Sequence, residues 1–159
     1  MWKKRRKGII MNTFNTAPNS VDELEERLSC PTQGVIESMS RIEGDILFIG
    51  AGGKMGPGLA VMARRASDMA GDKRHIMAVS RFGDVSVRNY LTRNAVEVLP
   101  RDLLLPGAVD TLPEAHNLVY MAGVKFGTTH HCVLTWAMNT WLPGLVCNRY
   151  RRSRAVVFS

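Results

Sequence analysis

The chain has 159 residues, 45% of them hydrophobic and 22% charged; that length holds one domain, and that mix excludes a disordered or fibrous chain. Its three cysteines, Cys30, Cys132 and Cys147, form no CxxC pair and are too few for a disulfide scaffold or a structural zinc site. The net charge is +7. Nine of the 21 basic residues lie in Lys3, Lys4, Arg5, Arg6 and Lys7 and in Arg149, Arg151, Arg152 and Arg154, which leaves a nearly neutral body and argues against a nucleic-acid partner. No apolar run reaches the ~18–20 residues that cross a bilayer, so no membrane partner is expected and the expected setting is the reducing cytoplasm.

The opening basic run is followed only by Gly8, Ile9, Ile10 and Met11, short of the ~7–15 apolar residues of a signal peptide. Met11 reads as an alternative start, or residues 1–10 as a solvated basic tail. Ser20-Val-Asp-Glu23 is a capping box, and the helix it opens places Val21, Leu24 and Leu28 on one side before Pro31 stops it. Val35, Ile36, Met39 and Ile42 repeat at helical spacing. Residues 1–43 are therefore expected to form a tail and a small helical appendage to a domain spanning residues 44–159. There Ile46-Leu-Phe-Ile49 predicts a strand buried on both faces, and Leu59, Met62, Ala63 and Ala66 predict a helix with Pro57 in its first turn. Further strands are predicted at His75–Val79, Ala95–Leu99, Asn117–Met121 and Ala155–Phe158. Another helix carries Val133, Trp136, Ala137, Thr140 and Trp141 as its apolar stripe. Strands alternating with helices predict an α/β fold with a parallel, doubly wound sheet of about five strands.

The motif that carries chemistry is Gly50-Ala-Gly52-Gly53-Lys-Met-Gly56, between the first strand and the first helix of that domain. Gly50, Gly53 and Gly56 satisfy GxxGxxG, and Gly50, Gly52 and Gly56 satisfy the looser GxGxxxG. Such a turn lets backbone approach a pyrophosphate at the positive end of a helix. An NAD site normally has a carboxylate about 20 residues further on. Here the second strand ends in Ser80-Arg81-Phe82, the first carboxylate after it is Asp84, and Arg81 suits a 2′-phosphate; the balance leans to NADP over NAD. Asp102-Leu103 and Met121-Ala122-Gly123-Val-Lys125 follow the third and fourth strands, where a ligand of such a sheet lies. Pro143 cannot donate to the carbonyl of Asn139, so a helix facing a cofactor could offer both that carbonyl and the Asn139 side chain; a kink that only improves packing is the other reading. His130 and His131, adjacent and without supporting ligands, read as solvent-facing or capping residues rather than a metal site, and the methionines as core filler.

This series resembles the extended short-chain dehydrogenase/reductases, the NAD-dependent epimerase/dehydratase family, over residues 44–159. The Ala122-Gly123-Val124-Lys125 turn is similar to the Ala-Gly-Leu-Lys turn of UDP-galactose epimerases. The resemblance implies a Rossmann-like fold and cofactor contacts at Lys54, Met55, Ser80, Arg81, Asp102, Leu103, Met121 to Lys125 and Asn139. It also implies hydride chemistry on a small-molecule substrate, plausibly a nucleotide sugar, and allows a homodimer. The departure is at the catalytic residues. Family members carry a Ser or Thr beyond the fifth strand and then a Tyr-x-x-x-Lys pair. Here Ser159 stands only where the serine-rich stretch should begin, and Tyr90, Tyr120 and Tyr150 are followed four residues on by Asn94, Val124 and Arg154. The expectation is a cofactor-binding half, cut short after the fifth strand and itself not catalytic. A non-catalytic NAD(P)-binding sensor is the alternative.

Overall fold

In the computed structural model, residues 16–124 and 131–157 are described. Two helices, α1 (Val21–Leu28) and α2 (Gln33–Arg41), precede β1 (Ile46–Ile49), α3 (Gly56–Met69), β2 (Ile76–Ser80), α4 (Val85–Arg93), β3 (Glu97–Pro100) and β4 (Asn117–Tyr120). A broken helix follows, made of α5 (Cys132–Trp136), a π-helical segment (Ala137–Trp141) and α6 (Leu142–Arg149), and β5 (Arg154–Val157) ends the described chain. All strand pairs are parallel, in the order β3-β2-β1-β4-β5. The chain therefore winds outward from β1 to one edge, then crosses back to β4.

Alternation along the central strands divides the core in two. Leu47, Ile49, Met77, Val79, Leu118 and Tyr120 face one side, where Leu142, Val146 and Tyr150 and the turns carrying Leu103, Val109 and Leu112 cover them. Ile46, Phe48, Ile76 and Ala78 face the other, against Ala60, Val61 and Ala63 of α3, with Leu91 and Val96 beyond. With both faces covered, β1 is buried throughout, as its unbroken apolar run predicts. The fold is α/β, parallel, doubly wound and Rossmann-like.

α3 is buried almost all round, because α1 and α2 pack on its outer side. Polar bonds make that second layer. Buried Arg65 donates to Ser29 Oγ (2.8 Å) and Glu26 Oε2 (2.6 Å) of the α1 region, and to Asn94 Oδ1 (3.4 Å) after α4. Buried Arg74 donates to the carbonyls of Met39 (2.8 Å) and Ile42 (2.5 Å) at the end of α2. At the start of α1, Ser20 Oγ accepts from Glu23 N–H (3.1 Å), while the Glu23 carboxylate accepts from Asn19 N–H (2.8 Å), one residue earlier than a standard capping box.

Four sequence expectations need correction. Strand limits shift by one or two residues, to Ile76–Ser80, Glu97–Pro100, Asn117–Tyr120 and Arg154–Val157, and Phe158 lies outside the described residues. α4 was not anticipated; Asp84 caps it, Oδ1 accepting Ser86 N–H at 2.7 Å. The α1 stripe Val21, Leu24 and Leu28 is exposed, because α1 docks through Glu26 and Ser29 instead. The stripe on the last helix is exposed too: Val133 is 85%, Trp136 67% and Trp141 50% accessible. The inward face carries Met138, Leu142, Leu145 and Val146, an i, i+4, i+7, i+8 series that spans the break and packs on the sheet.

Candidate functional site

The carboxyl ends of β1, β2 and β4 meet at the point where strand order reverses, and Gly50 to Gly56 fill it. The N–H groups of Gly50 and Ala51 both donate to the Val79 carbonyl (2.8 and 3.1 Å), which pins the turn across the end of β2. Gly50 has φ +85°, and a Cβ there would stand 2.4 Å from the Ala122 nitrogen. A Cβ on Gly52 would stand 2.5 Å from Ser80 Oγ, and one on Gly56 2.4 Å from the Ala51 carbonyl oxygen. Gly50 and Gly56 are thus demanded by the protein's own backbone packing, while at Gly52 the contact is a serine hydroxyl that can rotate aside. Gly53 is not so demanded: it is exposed, its φ lies outside the left-handed region, and its Cβ would meet nothing nearer than the Gly50 oxygen at 3.8 Å. Lys54 and Met55 beside it are exposed. The first turn of α3 has no side-chain cap and no acidic residue, so no side chain of that turn compensates the positive end of the helix.

At the end of β2, Ser80 is half-buried and Arg81 exposed. Arg81 makes no hydrogen bond or ion pair that ties it to the described residues. Phe82 turns back with φ +46° and buries its ring beneath Gly52. Asp84 is committed to its cap, and the bonds from Ser86 hold its carboxyl below the usual range. After β3, Arg101 N–H donates to the Ser80 carbonyl (2.9 Å), which sets a second arginine beside the β2 end. Asp102 Oδ1 accepts Leu104 N–H (3.1 Å), and Leu103 is in the core rather than at the surface.

After β4, Met121 N–H donates to the Ile49 carbonyl (2.8 Å). Met121 and Ala122 are half-buried and Gly123 is exposed. Asn139 turns its side chain to Val124, accepting from its N–H (2.8 Å) and donating to its carbonyl (2.9 Å). The structure thus brings together Gly50, Gly53, Gly56, Ser80, Met121, Ala122 and Gly123. Arg81 and Asp102 lie at the rim, and Asn139 lies one layer behind. Lys125, His130 and Ser159 are outside the described residues. From sequence, Gly52 enters only through the looser GxGxxxG spacing and Arg101 is passed over, for which a basic residue directly after the third strand is the signal.

A cavity of about 870 Å³ lies beside this crevice. Its walls include Tyr120, Ala122, Gly123, Asn139, Pro143 and Val146, and it runs down the β4–β5 face against α6. It shares Met121, Ala122 and Gly123 with the crevice, while none of its lining residues comes from the glycine turn. The tyrosine hydroxyls are engaged: Tyr90 with Ser29 Oγ (3.3 Å), Tyr120 with the Met138 carbonyl (3.2 Å) and Tyr150 with the Pro113 carbonyl (2.7 Å). Burial pushes Tyr120 and Tyr150 up to about 12, which unsuits both for proton transfer near neutrality.

No family model matches the chain, and no curated protein matches it at a significant level. No helix among the described residues is long and apolar enough to cross a membrane.

Proposed function

We propose that the chain binds a nicotinamide dinucleotide, NADP(H) in preference to NAD(H), across the carboxyl ends of β1, β2 and β4. We read it as the cofactor-binding part of an oxidoreductase resembling the epimerase/dehydratase family. The observation that carries this is Gly53, a glycine with no packing reason of its own. It lies at the reversal of strand order, between two glycines that packing does demand. A backbone left bare there suits close approach of a pyrophosphate to the first turn of α3. The residues fit the group: Gly53 and the α3 amides would hold the pyrophosphate, Ser80 and Arg81 the adenosine ribose, and Ala122 and Gly123 would lie against the rest. When bound, the nicotinamide would supply hydride transfer. No tyrosine of this sequence is followed four residues on by lysine, so these residues supply binding and orientation rather than the proton-transfer step. That same observation favours the second reading, a dinucleotide-binding sensor. A small-molecule substrate, plausibly a nucleotide sugar, belongs to the reading as an oxidoreductase, and the unpaired thiols of Cys30, Cys132 and Cys147 suit the cytoplasm.

The preference for NADP(H) rests on charge. Arg81 is exposed and uncommitted, Arg101 stands beside it, and Asp84, the carboxylate nearest in sequence, is held by α4. A charge-assisted bond to a 2′-phosphate is worth roughly 1.5–3 kcal/mol, or about 10–150-fold in affinity. Titrating NADPH and NADH against the parent and Arg81→Ala should show tighter NADPH binding in the parent, with most of the difference lost in the variant. Equal affinities in the parent, or a preference for NADH, would refute it.

A further inference from the structure

We infer that the π-helical segment Ala137–Trp141 is a positioning device for the β4 side of the crevice, with Asn139 as its positioning residue rather than a ligand contact. In an unbroken α-helix the Met138 carbonyl would accept from Leu142 N–H; here that N–H donates to Ala137 instead. The released Met138 carbonyl accepts from Tyr120 Oη at 3.2 Å, and Tyr120 is the last residue of β4. The next residue, Asn139, holds Val124 through both its N–H (2.8 Å) and its carbonyl (2.9 Å). Two successive residues of the π segment therefore pin the two ends of one short loop. Between the pins lie Met121, Ala122, whose backbone packs on Gly50, and Gly123, where a Cβ would stand 3.2 Å from Asn139 Oδ1. Glycine at 123 leaves room for the amide to reach Val124. The loop is the wall that faces the glycine turn across the reversal of strand order. Fixing it before binding removes an ordering cost that a ligand would otherwise meet.

The inference rests on the dinucleotide reading for its ligand, and the test separates the two. Hydrogen–deuterium exchange is measured on the parent, Asn139→Ala and a control, Asn148→Ala, at an exposed position of α6. NADPH is titrated against all three. In Asn139→Ala, exchange at Val124 should rise about tenfold and NADPH affinity should fall about tenfold, the loss expected of roughly 1.4 kcal/mol of hydrogen bonding. Exchange in β1 should stay at the parent rate, and Asn148→Ala should match the parent throughout. Unchanged exchange at Val124 would overturn the pin. Faster exchange spread through β1 would make Asn139 a general stability residue and overturn the positioning role, as would parent-like NADPH affinity beside a loosened Val124. A parent that binds NADPH not at all would instead refute the dinucleotide reading, and the exchange data would then decide the pin alone.

Discussion

Gly53 and Gly56 are three residues apart, and replacing each by alanine asks a different question. At Gly56 the new Cβ meets the Ala51 oxygen at 2.4 Å, a backbone atom that cannot swing away. Gly56→Ala should therefore lower stability by about 1–3 kcal/mol, the usual cost of overpacking. At Gly53 the nearest atom is 3.8 Å away, so Gly53→Ala should leave the urea midpoint where it is. Urea unfolding of the two variants checks the contrast, and equal losses would show that the turn is packed differently. The glycines are conspicuous in the sequence but two spacings stay open, because a Cβ clash is set by how the turn folds on itself at Gly56 and by the distant residue Ala122 at Gly50. Tyr120 supplies a second prediction at this scale. Its hydroxyl is raised from 10.0 to about 12, chiefly by burial, with the Cys147 charge adding. Above pH 10 the unfolded chain sheds this proton and the folded chain keeps it, so the unfolded state binds fewer protons and stability falls as pH rises towards 12. Tyr150 is raised to the same value and contributes to the same decline, so Tyr120→Phe should make it about half as steep, as urea midpoints on either side of pH 10 will show; an equally steep decline in the variant would contradict the assignment.

Among the elements, the outer helices are where polar bonds outrank apolar periodicity. Val21, Leu24 and Leu28 repeat at helical spacing, yet α1 is fastened by Arg65 through Glu26 and Ser29. An arginine in the middle of α3 reads from sequence as a solvated charge, and only the second helical layer makes it a buried tie. Arg65→Met should cost about 2–3 kcal/mol, since it removes charge-assisted bonds and leaves buried Ser29 without that donor. Arg65→Lys should recover little, because an ammonium lacks the planar fork that reaches Ser29 and Glu26 together. Chemical denaturation measures both; full recovery by lysine would show that charge alone suffices. The last helix differs from its sequence expectation for a related reason. Its residues offer two apolar series, and the π segment turns Met138, Leu142, Leu145 and Val146 towards the sheet while Val133 and Trp136 are left outside. Where an extra residue enters a helix depends on Tyr120 and Pro143 together, and a 3.6-residue count cannot show it.

At the scale of the whole molecule, the parallel doubly wound sheet was legible because β1 and β2 are unbroken apolar runs and helices alternate with strands. The same winding separates the charges. Arg151, Arg152 and Arg154 are exposed near the start of β5, which pairs with the start of β4 at Asn117, whereas the crevice lies at the opposite ends of the strands. The basic cluster therefore stands away from the crevice, and the proposed dinucleotide would instead meet Arg81, Arg101 and the amides of the glycine turn. A ligand that binds only the folded chain stabilises it, by about 2.7 kcal/mol at a hundredfold excess over Kd, so saturating NADPH should raise the unfolding midpoint and do so more than NADH at equal concentration. The central claim, that the glycine turn itself receives the dinucleotide, is tested most directly by titrating NADPH against Gly53→Val. The account predicts that this variant still unfolds cooperatively in urea and has lost NADPH binding. A folded Gly53→Val that binds NADPH as tightly as the parent would contradict it.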